Sequence, residues 1–168
     1  MSFTHHTQIE VRPLTIADAP TCDQIILTLP RHFGYESGRQ ACAQAVRISE
    51  GWVAVSDGRV VGFLTVQPHN ATTVEITWMA VHADLRGQGI GRRLIEHLRQ
   101  EMQAQGYRLL LVATLAPSYE RDTEGSVEDG YAATRAFYHK VGFLDICEVP
   151  LYWGVDSDPA LLLVMPLF

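Results

Sequence analysis

Several things are scarce in this sequence, and each scarcity removes a class of protein. No run of apolar residues approaches the roughly 18 needed to cross a bilayer as a helix. The opening residues, MSFTHHTQIEVRP, lack the basic and then apolar regions of a secretory leader. These absences point to a cytoplasmic, mature, unprocessed protein with no membrane partner. Cysteine occurs three times, at Cys22, Cys42 and Cys147. An odd, widely spaced trio without C-x-x-C argues against a disulfide framework or a zinc site, and for buried, reduced thiols. The histidines offer no metal either: His5 and His6 are only a pair, and His69, His82, His97 and His139 do not fall at ligand spacings. Positive charge is in deficit, with 13 Lys and Arg against 19 Asp and Glu for a net charge of −6. That balance excludes nucleic acid as a partner, because phosphate neutralisation needs a clustered basic excess. Lysine itself is almost missing, Lys140 being the single example.

What is present is an ordinary globular composition, 47% hydrophobic and 19% charged, in 168 residues. That length fills one domain over 1–168 and leaves too little for a second. Ile9 to Arg12 alternates like a strand, and Thr15-Ile-Ala-Asp18 has the spacing of a capping box opening a helix through about Leu29. A weaker helical pattern covers Gly38 to Ser49. Trp52 to Ser56 and Val60 to Gln67 are β-rich runs joined by Asp57-Gly58-Arg59, a hairpin signal. Thr73 to Val81 alternates with Val74, Ile76, Trp78 and Ala80 on one face and Glu75, Met79 and Val81 on the other. Gly89 to Gln105 carries apolar residues at helical spacing and stops at Gly106. Arg108 to Leu115 predicts a buried strand, Ala116 to Gly130 a long polar loop, and Tyr131 to Val141 a helix ended by Gly142. Phe143 to Tyr152 and Leu161 to Met165 predict closing strands. The whole is a mixed α/β domain with a largely antiparallel, meandering sheet.

The chemistry concentrates in Arg86-Gly87-Gln88-Gly89-Ile90-Gly91-Arg92-Arg93, where a strand passes through a glycine-rich loop into a helix. Residues without a Cβ let backbone N–H groups approach an anion, and a helix start offers unpaired N–H donors at its positive end. Three arginines add charge at the same spot. A nucleoside triphosphate is disfavoured, because Gly91 is followed by two arginines and not by Lys-Ser or Lys-Thr. The dinucleotide pattern G-x-G-x-x-G fails as well, with Arg92 or Leu94 in place of the third glycine.

Arg86 to Gly91 matches the Q/R-x-x-G-x-G/A motif, and the chain here resembles the GCN5-related N-acetyltransferase (GNAT) family. The motif follows Met79-Ala80-Val81 at a strand end, as in that family's fourth strand. Ala136-Phe137-Tyr138-His139-Lys140-Val141-Gly142-Phe143 is similar to the family's late helix and the Gly-Phe opening its next strand. The resemblance covers nearly the whole chain and implies a GNAT-like α+β fold, a sheet of about seven strands flanked by four helices. It implies acetyl-CoA as co-substrate, without a metal. The pyrophosphate would lie on backbone amides of Arg86, Gly87, Gln88, Gly89, Ile90, Gly91 and Arg92. The pantetheine would run along Met79, Ala80 and Val81, one of whose N–H groups would face the thioester carbonyl. The family's fourth and fifth strands splay to admit the cofactor. Many members carry Asn seven residues before the tyrosine, where this chain has Tyr131.

The function implied is transfer of acetyl to a primary amine of a small molecule by direct attack in a ternary complex. A lysine-like amine is neutral in about one molecule of 2,500 at pH 7, a deficit of ~4.6 kcal/mol, so a base is needed. Glu75 is the candidate, on the strand leading to Met79 and facing the same side. Tyr138 resembles the family's general acid for the departing thiolate. Glu120, Asp122, Glu124, Glu128 and Asp129 against Arg121 form an acidic loop suited to a cationic acceptor. His32, Phe33 and Tyr35, between the first two helices, are further candidates for acceptor contacts. Two alternatives stand beside this: an N-terminal or lysine acetyltransferase acting on proteins, and a non-catalytic acyl-CoA sensor. A homodimer stays open.

Overall fold

The computed structural model describes residues 9–119, 131–154 and 157–168. Strand β1 (Ile9–Pro13) opens the chain, and Arg12 on it sends two N–H bonds of 2.8 Å to the Asp18 carboxylate. Asp18 also accepts from the Thr15 amide and hydroxyl, each at 2.9 Å. The capping spacing is therefore realised, but it opens a single 3-10 turn, Ile16–Asp18, and the α-helix α1 (Ala19–Leu27) begins only after it. Pro20 accounts for the change, since a residue with no N–H and a fixed φ belongs in the first helical turn and resets the helix start there. Helix α2 (Glu36–Ile48) starts two residues earlier than the pattern indicated.

Strands β2 (Glu50–Ser56) and β3 (Arg59–Pro68) form the expected hairpin. Its two turn residues, Asp57 at φ 49° and Gly58 at φ 75°, are both left-handed, as a type I′ turn requires. Strand β4 (Thr73–Val81) has its expected bounds, with Val74, Ile76 and Ala80 buried on one face. Helix α3 (Ile90–Ala104) buries Leu94, Ile95, Leu98 and Met102 and exposes Arg92, Arg93, Glu96 and Arg99. It ends in a Schellman motif: Gly106 takes φ 90°, and the Tyr107 amide donates to the Met102 carbonyl at 3.0 Å. Strand β5 (Leu109–Leu115), helix α4 (Ala132–Val141) and strands β6 (Leu144–Val149) and β7 (Ala160–Pro166) complete the described chain.

The strands form one seven-stranded sheet in the order β1-β2-β3-β4-β5-β7-β6. The β1–β2, β2–β3, β5–β7 and β6–β7 pairs are antiparallel, whereas β4 and β5 are parallel. A parallel pair needs a long crossover, which α3 supplies. The sheet is therefore mixed and mostly antiparallel, with four helices. Its last part departs from the expected meander, because β7 lies between β5 and β6. Strand β6 is also shorter than the Phe143 to Tyr152 run: Pro150 has no N–H for a ladder and Leu151 takes φ 56°.

Two compact units make up the chain, Met1–Gln67 with Trp78–Glu101, and Pro68–Thr77 with Met102–Phe168. The first has a core in which Cys22, Ile25 and Ile26 of α1 and Cys42 and Val46 of α2 pack with Val53, Phe63 and Ala80 of the sheet. Burial pushes the Cys22 and Cys42 thiols up to about 12, so both stay neutral. In the second unit, cross-strand pairs of buried residues join β5 to β7: Leu110 with Met165, Val112 with Leu163, and Thr114 with Leu161.

Candidate active site

The glycine-rich segment takes the shape its composition called for. Beyond β4, the His82 amide donates to the Val61 carbonyl at 2.9 Å and a 3-10 turn, Ala83–Leu85, leads to Arg86. Gly87 at φ 78° and Gly89 at φ 83° are left-handed, a conformation that glycine adopts without a steric penalty. Helix α3 starts at once, its first bond running from the Arg93 amide to the Gly89 carbonyl at 3.1 Å. Arg86, Gly87, Gln88, Gly89 and Arg92 are exposed, Gly91 is half-buried and Ile90 is buried beneath them. Among the described residues no atom comes within 4 Å of a Cβ built at Gly87 or Gly89. The loop is thus an open cradle of backbone at a helix N-terminus, flanked by Arg86, Arg92 and Arg93. Such a cradle fits a phosphate-bearing ligand.

Several contacts fix the cradle from below. The Thr28 hydroxyl accepts the Ala83 amide at 3.1 Å and donates to the Ile25 carbonyl at 2.6 Å, joining the end of α1 to the turn. A Cβ at Gly62 of β3 would lie 3.1 Å from the Ala80 carbonyl oxygen and 3.3 Å from Ile90. Glycine there is what lets β3 approach the end of β4 and the start of α3 so closely. Phe33 is buried and its ring lies 5.9 Å from that of Trp78 on β4. His32 is held toward its neutral form by burial, and further by the positive Arg86 and Arg31. Tyr35 is exposed. Met79 and Val81 are half-buried and Ala80 is buried.

Glu75 is neither an open surface carboxylate nor a bare one. Its side chain is 13% exposed, and one oxygen lies 2.5 Å from Nε2 of His69. The other oxygen stands 3.4 Å from the Tyr152 hydroxyl, whose pKa is raised by burial and then by the charge of Glu75. Neither partner was singled out from sequence. The parallel ladder that begins at Thr73 and Leu109 runs to Ile76 and Val112, and both strands continue past it.

Tyr138 sits three residues before the end of α4, where Gly142 at φ 108° closes another Schellman motif. The Phe143 amide donates to the Tyr138 carbonyl at 3.0 Å, and the two rings meet edge to face at 5.3 Å, the hydrophobic contact this motif favours. The Phe137 ring also lies edge to face with that of Tyr138, at 5.3 Å. Burial pushes the Tyr138 phenol well above its ordinary range, so the hydroxyl remains a proton donor. Arg135, a turn earlier and buried, donates to the Leu115 carbonyl at 2.8 Å. Tyr131 precedes α4, its carbonyl accepting from the Arg135 amide at 3.0 Å. Met79 to Val81 and Arg86 to Arg92 belong to the first unit, Glu75 and Tyr138 to the second. Glu120, Asp122, Glu124, Glu128 and Asp129 lie outside the described residues.

Among the described residues no three His, Cys, Asp or Glu side chains are grouped to hold a metal. No described helix is long and apolar enough to cross a membrane. Residues 47–144 match the family model described as the acetyltransferase (GNAT) domain. A 66-residue segment is 35% identical to rat N-acetylaspartate synthetase, spanning 39% of this chain and 22% of that protein. The fold is similar to that of a GNAT-family protein from Desulfovibrio desulfuricans, with TM-score 0.77, 18% identity, and 96% of this chain and 100% of that one covered. It is also similar to a GNAT-family acetyltransferase from Elizabethkingia anophelis solved with acetyl-CoA bound, with TM-score 0.69, 19% identity, and 95% and 98% covered.

Proposed function

The chain belongs to the GNAT acetyltransferase family, and on that premise we propose that it transfers acetyl from acetyl-CoA to a primary amine of a small molecule, by direct attack in a ternary complex. The observation that carries this reading is the open Gly87–Gly89 cradle at the start of α3, with Arg86, Arg92 and Arg93 beside it. Backbone amides from Arg86 to Arg92 hold the pyrophosphate, where glycine geometry and the helix N-terminus both favour an anion. Met79, Ala80 and Val81 hold the pantetheine, and a backbone N–H among them donates to the carbonyl oxygen as negative charge develops there.

Bound acetyl-CoA supplies an activated carbonyl and a thiolate leaving group. Glu75 removes the proton that the ammonium form of the acceptor carries, freeing the nitrogen lone pair. Tyr138 gives its hydroxyl proton to the departing sulfur as the C–S bond breaks, and the resulting phenolate takes the second proton that the acylated nitrogen sheds, which restores the hydroxyl. Its raised pKa keeps that proton in place at neutral pH, and its ring is locked by Phe137 and Phe143. The reading is tested by thiol release from acetyl-CoA in the presence of an aminoglycoside, L-aspartate, putrescine and a peptide with N-terminal alanine. Release that depends on one of the small amines supports it; release with the peptide alone moves the function to protein acetylation. Binding of acetyl-CoA without any release leaves a sensor.

A further inference from the structure

Glu75 explains how a proton could leave the amine, but not where its charge is controlled. We propose that His69 and Glu75 act as one proton-accepting pair, so that the charge state of His69 sets the low-pH limit of acetyl transfer. The proposal rests on the acetyl-transfer reading above and adds a residue to it. The two side chains meet at 2.5 Å, Nε2 to carboxylate oxygen. Glu75 is 13% exposed and His69 42%, so the carboxylate is largely sheltered while its partner reaches solvent.

The geometry is built rather than incidental. His69 lies in the turn between β3 and β4, and its amide donates to the Thr73 carbonyl at 2.9 Å. Asn70 braces the same turn, its side-chain oxygen accepting from the Thr72 amide at 2.8 Å and the Thr73 amide at 2.9 Å. Two residues on, β4 presents Glu75. Glu75 faces His69 directly, and Tyr152 from the segment after β6 stands across Glu75 from it. Tyr152 stays protonated and can only donate to the carboxylate.

The 2.5 Å contact lets a proton taken up by the carboxylate pass to the imidazole. With the imidazole protonated, the pair is neutral and a full cation holds the carboxylate, which then takes up a further proton poorly. With the imidazole neutral, the pair carries one negative charge. On accepting the amine's proton, the N–H bond breaks and the pair becomes neutral; the proton then leaves to water from the half-exposed imidazole, restoring the charge. An imidazole ordinarily loses its proton about two pH units above a carboxylate. The acid limb of activity therefore belongs to the pair, and removing His69 leaves the lower limb of a carboxylate.

The experiment has two arms on the full-length protein. In the first, 13C NMR follows the Glu75 carboxyl through a pH titration of wild type and His69→Gln with no acceptor present. The carboxyl signal should respond twice in wild type, once in step with the imidazole, and once in His69→Gln. In the second, kcat/KM for acetyl-CoA and the fastest of the four amines above is measured against pH. The acid limb should move down by about one unit or more in His69→Gln. A purely structural histidine would lower kcat or Tm and leave the limb in place. One identical carboxyl response in both proteins, or thiol release with an unmoved limb, overturns the proposal. No thiol release with any amine defeats the acetyl-transfer reading and the proposal with it, and is distinct from release with an unmoved limb.

Discussion

Replacing Gly89 by alanine isolates what the glycine-rich loop does. Gly89 has φ 83° and, among the described residues, no atom within 4 Å of the position its Cβ would take. The methyl group therefore meets open space, and the penalty is confined to the backbone, about 1–2 kcal/mol for an L-residue held left-handed. In the free protein the loop can shed that strain by turning φ negative, which moves the amides after Gly89 out of the cradle. Binding must then restore the strained form, so acetyl-CoA affinity should fall by the same energy, a factor of about 5–30. Gly58 provides the control. It has φ 75°, equally open surroundings, and a place in the β2–β3 hairpin turn. Gly58→Ala should lose comparable stability in urea titrations while calorimetry gives an acetyl-CoA Kd within about twofold of wild type. If Gly89→Ala weakened binding no more than Gly58→Ala, the loop would not be the anion site.

Asp18→Asn should lower stability at pH 7 by about 1–2 kcal/mol, because Arg12 and Thr15 hold its carboxyl at about 2 against an ordinary 3.8, while the partly exposed Arg12 screens the full linkage value. The sign follows from a depressed folded value: the wild-type advantage is complete above about pH 3.8 and fades as pH falls through about 2, which chemical denaturation across that range would register. Tyr138→Phe should reduce kcat about tenfold or more and leave coenzyme A affinity within about twofold; an unchanged kcat removes the hydroxyl from the reaction. A thiol reagent should label Cys147 quickly in the native protein and reach Cys22 and Cys42 only on unfolding, as their burial and raised pKa values require.

Punctuation by glycine was the most legible part of this chain. Gly58, Gly106 and Gly142 all sit where a left-handed residue ends an element, and Gly87 and Gly89 make the loop their spacing implied. Periodicity found β4 to the residue, because a half-buried strand writes its two faces directly into the alternation. Strand order was a different matter. Periodicity reports which face is buried and not which neighbour lies alongside, so the insertion of β7 between β5 and β6 left no trace in either strand. The 3-10 turn before α1 escaped for a related reason: a capping spacing marks a helix start, and only the position of Pro20 shifts the α-helix past it. At the candidate site, Glu75 and Tyr138 were visible through motif and alternation. His69 and Tyr152 were not, since a turn residue and one 77 positions away converge on Glu75 through the fold alone.

Direct transfer can be followed with a single turnover of acetyl-CoA labelled in its acetyl group, quenched at intervals and divided between protein and small-molecule fractions for mass spectrometry. The account predicts that label passes to the amine nitrogen of the acceptor with none on the protein at any time, and that transfer fails when the amine is omitted. Label appearing first on a protein side chain, or remaining on coenzyme A with every amine supplied, would contradict it.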